Sequence, residues 1–124
     1  MKINLSLTAI LGFFAILLGA FGAHALKEKI GVEQLKAFET GVKYQMYHVI
    51  VLLFVNTFQD FTTKIKNRIS IFFFIGILFF SGSIYLLTTT TISSKIIGPI
   101  TPIGGLFLMI GWLLLVYNFI KKNK

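Results

Sequence analysis

Cysteine is absent from the chain, so disulfides, thiol nucleophiles and thiolate metal sites are excluded together. Acidic residues are nearly absent as well, with four Asp and Glu against twelve Lys and Arg. All charged residues together make up 13% of the chain, where an ordinary soluble domain carries about 25%. A soluble fold is therefore excluded on composition. The two histidines, without cysteine or an obviously placed carboxylate, do not complete a three- or four-ligand zinc set, and no metal is expected. Also missing are a glycine-rich phosphate loop, paired intramembrane carboxylates and a nucleophile–base–orienter arrangement. These absences leave no catalytic residue and no cofactor to expect.

Long uncharged runs take the place of what is missing. Hydrophobic residues are 56% of the 124, and fourteen are Phe. The first run, 3–26, is uncharged throughout and carries Gly12, Ala15, Gly19 and Gly22. Their spacing puts these small residues in one row on a helix, where a neighbouring helix can come close. The run is longer than the roughly 7–15 residues of a signal-peptide core, so it is expected to stay as a span despite the Ala23-His24-Ala25 sequence at its end.

Three more apolar stretches follow at 44–59, 69–88 and 102–120, and four spans of roughly 20 residues with short connections would use nearly all of the chain. Between the first two, residues 30–43 are amphipathic: Leu35, Phe38, Val42 and Met46 share one side, and Glu33, Lys36, Glu39 and Lys43 the other. The expected fold is thus an all-α integral membrane protein, one domain over 1–124, with four transmembrane helices in a compact bundle and an amphipathic connecting helix between the first and second. In the second span Gln45, His48, Leu52, Asn56 and Gln59 recur at spacings of three and four, giving a mostly polar stripe that should face the bundle interior. Ser81 and Tyr85, one turn apart in the third span, can bond across helices or to their own backbone. Gly104 and Gly111 share a face of the fourth span and are expected to pack closely. Trp112 reads as an ordinary membrane aromatic.

The formal charge of +8 does not indicate nucleic acid, because the cations border apolar runs. With four spans, seven of them (Lys2, Lys64, Lys66, Arg68, Lys121, Lys122 and Lys124) share one side, and five (Lys27, Lys29, Lys36, Lys43 and Lys95) lie on the other. That bias places both termini in the cytoplasm.

His24, Tyr44, Gln45 and His48 form the candidate site. In the four-span reading His24 ends the first helix and His48 begins the second, so both approach one membrane face. Such a cluster can fasten helix ends through hydrogen bonds, or hold a lipid, a small molecule or a proton.

Gly19-Ala20-Phe21-Gly22-Ala23-His24-Ala25-Leu26, followed by Phe38-x-Thr40-Gly41-Val42-x-Tyr44-Gln45-Met46-x-His48, resembles the domain of unknown function 423 family. The members are small multi-pass membrane proteins of bacteria, and the animal transmembrane protein 256 looks similar. The resemblance implies a bacterial plasma-membrane location and marks Gly19, Gly22, His24, Gly41, Tyr44, Gln45 and His48, but it brings no reaction. The expected function is non-catalytic binding of a lipid, small molecule or partner helix near His24 and His48. The alternatives are a small channel or transporter acting as a homo-oligomer and, more distantly, an intramembrane enzyme on a lipid-like substrate. Besides the bilayer, a second copy or another membrane helix is the expected partner.

Overall fold

A computed structural model describes residues 2–122. Lys124, counted above in the basic cluster, lies outside the described residues. The chain is all-α. The helices are α1 (Lys2–His24), α2 (Val32–Thr57), α3 (Thr63–Thr89), a single turn α4 (Ser94–Ile97) and α5 (Ile100–Lys122), with a 3-10 turn at Leu26–Glu28.

Short polar signals set the ends. Gln34 Oε1 accepts the Gly31 N–H at 2.9 Å and opens α2, and Thr62 Oγ1 accepts from Ile65 N at 3.2 Å to open α3. Ser93 Oγ caps α4 by accepting from Lys95 N, and the Ser93 and Ser94 carbonyls accept from Ile97 N and Gly98 N. Pro102 sits in the first turn of α5, where no helical partner is needed for its missing N–H.

Three stretches are long and apolar enough to cross a bilayer: Lys2–His24, Thr63–Thr89 and Ser94–Lys121. Helix α2 differs from the expected division into connector 30–43 and span 44–59, because a single uninterrupted helix covers both. Nothing in the sequence breaks it. Gly41, the weakest helix former near their junction, lies against Tyr85 of α3, where a Cβ would come to 3.0 Å from the ring.

Helix α2 runs antiparallel to α1, with its residues 38–56 alongside 4–22. A Cβ on Gly22 would meet Phe38 at 2.9 Å, one on Gly19 would meet Val42 at 3.5 Å, and one on Gly12 would meet Val49 at 3.2 Å. Asn4 reaches Asn56 at the far end. The row of small residues on α1 is therefore filled by α2 of the same chain. Helix α2 turns Gln45, His48 and Asn56 inward and Tyr47, Ile50, Leu53 and Phe54 outward, while Glu33, Lys36, Glu39 and Lys43 stay exposed toward its start.

Helix α3 packs on α2 with one face and on α5 with the other, leaving α1 and α5 on opposite flanks. The core draws on α2, α3, α5 and Phe61 of the α2–α3 turn: Leu52, Val55, Phe61, Ile69, Phe73, Ile77, Leu108 and Leu115. Glycine sets the α3–α5 spacing. A Cβ on Gly76 would strike Leu108 at 2.5 Å, one on Gly111 the Phe73 ring at 2.7 Å, and one on Gly104 the backbone of Phe79 and Phe80. Close approach of this kind is how helices gain dispersion contact in lipid, which offers no hydrophobic drive between them.

Candidate functional site

Two polar networks cross the bundle. Near the end that holds the termini, Asn56 is fully buried. Its Nδ2 donates to Leu52 O at 2.9 Å and to Ser70 Oγ at 2.8 Å, while its Oδ1 accepts from Asn4 at 3.0 Å. Asn4 donates also to Asn67 Oδ1 at 2.9 Å, so α1, α2 and α3 are joined at one level. Nearer the other end, Gln45 joins the same three helices. Its Nε2 donates to Leu11 O at 2.7 Å, and its Oε1 accepts the Tyr85 hydroxyl at 2.6 Å. Ser81 adds a bond to Gly41 O at 2.7 Å. Among the described residues no buried side-chain nitrogen or oxygen lacks a partner, which in hydrocarbon avoids the cost of an orphaned polar group.

His48 connects to α5 instead. Its Nδ1 lies 2.6 Å from Tyr44 O, and Trp112 Nε1 lies 3.1 Å from its Nε2. A carbonyl only accepts and an indole N–H only donates, so the two partners assign the proton to Nδ1 and leave Nε2 as acceptor. His48 is thereby held as the neutral ring with both nitrogens engaged.

Above this pair is a cleft of about 290 Å³, lined by Tyr44, His48, Phe80, Gly105, Leu108, Met109 and Trp112. It opens toward the lipid side of the bundle. The Tyr44 ring lies 4.9 Å from Phe80 and 6.2 Å from His48, and His48 lies 6.0 Å from Trp112, so aromatic rings make up much of the wall. Gly105 keeps the cleft open, since a Cβ there would meet only the Phe80 ring, at 3.7 Å. Among the described residues, the Tyr44 hydroxyl has no hydrogen-bond partner in the chain.

The four candidate residues do not form one cluster. Tyr44, Gln45 and His48 share α2, but Gln45 points to α1 and α3 while Tyr44 and His48 face the cleft. His24 is exposed at the end of α1, two residues beyond Gly22, which packs on Phe38. Phe38 and His48 are ten residues apart on α2, about 15 Å at 1.5 Å per residue. His48 therefore sits in the middle of the bundle, because α2 starts twelve residues before the expected span. Sequence reasoning missed Trp112 as a partner, along with Phe80, Gly105 and Met109. An indole N–H in the middle of an apolar helix was the available signal, since such a group needs an acceptor. Among the described residues no three His, Cys, Asp or Glu side chains come together as a metal set would.

A family profile described as a protein of unknown function, DUF423, matches residues 18–105. A UPF0382 membrane protein of Staphylococcus saprophyticus is 42% identical over 98% of this chain and 99% of its own length. The UPF0382 membrane protein YwdK of Bacillus subtilis is 42% identical over 98% of each chain, and one from Haemophilus influenzae is 41% identical over 96% and 94%. No solved structure matches.

Proposed function

The chain belongs to the DUF423 family of bacterial multi-pass membrane proteins, and we propose that it is a non-catalytic receptor for a lipid-soluble small molecule held beside His48. The observation that carries the reading is the lipid-facing cleft between α2, α3 and α5, walled by Tyr44, Phe80 and Trp112 and kept open by Gly105. Binding sites are typically apolar hollows with a few placed polar groups, and they form between helices of bundles. The engaged His48 nitrogens favour binding over proton transfer, because a general base needs a free lone pair facing its substrate. His24, exposed at the end of α1, takes no part in this cleft and is left to contacts outside the bundle, with a headgroup or a partner helix.

We place both termini in the cytoplasm, from the seven Lys and Arg on their side against five on the other. We also extend the reading, as a proposal, to the animal transmembrane protein 256 that the signature segments resemble. The test of function is native mass spectrometry of protein extracted gently from its own membrane. A discrete retained mass, lost in Gly105→Leu and kept in His24→Ala, is expected. A bare protein, or a mass indifferent to Gly105→Leu, would overturn the cleft as the site.

A further inference from the structure

We propose that the cleft takes a prenylated quinone, a neutral flat ring with carbonyl acceptors and an isoprenoid tail; the inference rests on the binding reading above. Three independent features of the site select this class.

Depth is the first. His48 lies nine residues from the end of α2 at Thr57, and Trp112 nine from Lys121, so both stand about 14 Å inside, near the middle of a hydrocarbon core of about 30 Å. A phospholipid keeps its headgroup at the surface and can offer only its acyl chain here. Molecules whose polar part is itself at home in hydrocarbon can bring that part to the cleft.

Charge is the second. No charged side chain lines the cleft. On α5 no charge occurs between Ile100 and Ile120, and on α3 none between Ile69 and Thr89. Lys43, adjacent to Tyr44, lines a different groove with Gly19 and Phe38. A carboxylate or phosphate placed beside Trp112 would therefore remain unpaired in a medium that penalises it severely. The ligand is uncharged.

Shape and hydrogen bonding are the third. The walls are ring faces and edges from Tyr44, His48, Phe80 and Trp112, suited to a flat ring in offset or edge contact. Both His48 nitrogens and the Trp112 N–H are already engaged with one another or with Tyr44 O. The remaining polar group is the Tyr44 hydroxyl, which can donate to a ligand acceptor such as a ring carbonyl. At about 290 Å³ the cleft is near the low end of small-molecule sites, roughly 300–1,000 Å³. It accommodates the ring and the start of a tail, with the rest running over the lipid-facing side of α5 at Leu106 and Leu113.

Trp112 is the only tryptophan, so its fluorescence reports on the cleft alone. The protein in phosphatidylcholine nanodiscs is titrated with a naphthoquinone bearing a short prenyl tail. Saturable quenching is expected, abolished in Gly105→Phe. Tyr44→Phe, which removes one oxygen, should weaken binding roughly 2- to 12-fold, the net contribution of one hydrogen bond. Should Gly105→Phe fail to fold, the Tyr44→Phe comparison decides, with the hydrocarbon farnesene as a competitor carrying the tail but no oxygen. Displacement by farnesene at equal concentration, with no effect of Tyr44→Phe, overturns the quinone and leaves a cleft that reads only the tail. Quinone quenching that rises linearly and identically in all variants also overturns it. In that case brominated phosphatidylcholine separates the two readings. Quenching of Trp112 that falls in Gly105→Phe keeps the cleft as a lipid site, and quenching unchanged by it sinks the binding reading too.

Discussion

Replacing Gly104 by alanine puts a methyl group where α3 has backbone. The new Cβ would fall on the Phe79–Phe80 peptide, 2.7 Å from Phe79 C and 2.8 Å from Phe80 Cα, where ordinary contact needs about 3.5–4 Å. No side-chain rotation relieves this, because the obstructing atoms are main chain. Helix α5 has to move back by about 1 Å, and a gap of that size forfeits a quarter to a half of each dispersion contact along the seam. The movement also loosens Leu108 against Gly76 and Phe73 against Gly111, one and two turns further on. Overpacking typically costs about 1–3 kcal/mol, a factor of roughly 5 to 150 in the folding equilibrium. Gly105, the next residue, is the internal control. Its added Cβ meets only the Phe80 ring at 3.7 Å, and Ala is favoured over Gly in a helix by up to about 1 kcal/mol. Gly104→Ala should therefore destabilise while Gly105→Ala is neutral or stabilising. Reversible unfolding in mixed detergent micelles, followed by far-ultraviolet circular dichroism and Trp112 fluorescence, measures both. Equal effects from the two substitutions would refute the claim that the backbone approach at Gly104 sets the α3–α5 spacing.

Other consequences can be checked in the same preparation or in cells. Asn56→Leu strands Ser70 and removes the acceptor for Asn4, and should cost about 1–3 kcal/mol in the same unfolding assay. A neutral result would mean that water or neighbouring groups replace Asn56. Tyr85→Phe leaves Gln45 Oε1 without its donor and should lower stability by about 0.6–1.7 kcal/mol, the range found between transmembrane helices. Loss of the His48 acceptor in His48→Phe should shift the Trp112 emission maximum to shorter wavelength, since the indole N–H then has no partner; an unchanged spectrum would contradict the bond. For topology, the cysteine-free chain accepts single reporters at the exposed positions Gln59 and Thr91. A membrane-impermeant maleimide applied to whole cells should label Thr91→Cys and spare Gln59→Cys, and the opposite pattern would invert the bundle.

Much of this architecture can be read from composition, and the misplaced parts have one physical origin. The uncharged runs announce helices in lipid because no other open structure satisfies its backbone there. The stripe of Gln45, His48, Leu52 and Asn56 announces an inward face, and all four side chains are buried, whereas Gln59, its last member, is exposed beyond the end of α2. The change from amphipathic to apolar near residue 43 looks like a boundary between two elements, yet it marks a change in surroundings along one continuous α2. Moving the start of that helix from 44 to Val32 adds twelve residues, about 18 Å, and this separates His48 from His24. Periodicity assigns residues to faces but does not say which helix stands opposite. The partners of the inward polar groups (the Leu11 carbonyl, Tyr85, Asn4 and Ser70) were accordingly not legible, and neither was Trp112 across from His48. The cleft follows from two adjacent glycines that look identical in the sequence. Gly104 lets α5 touch the backbone of α3, and that contact brings Trp112 into reach of His48. Gly105, about 100° further around the helix, faces the opening and leaves room beside the same contact. One glycine closes the seam and the other leaves the site open, a distinction that only the rotation of α5 about its axis decides.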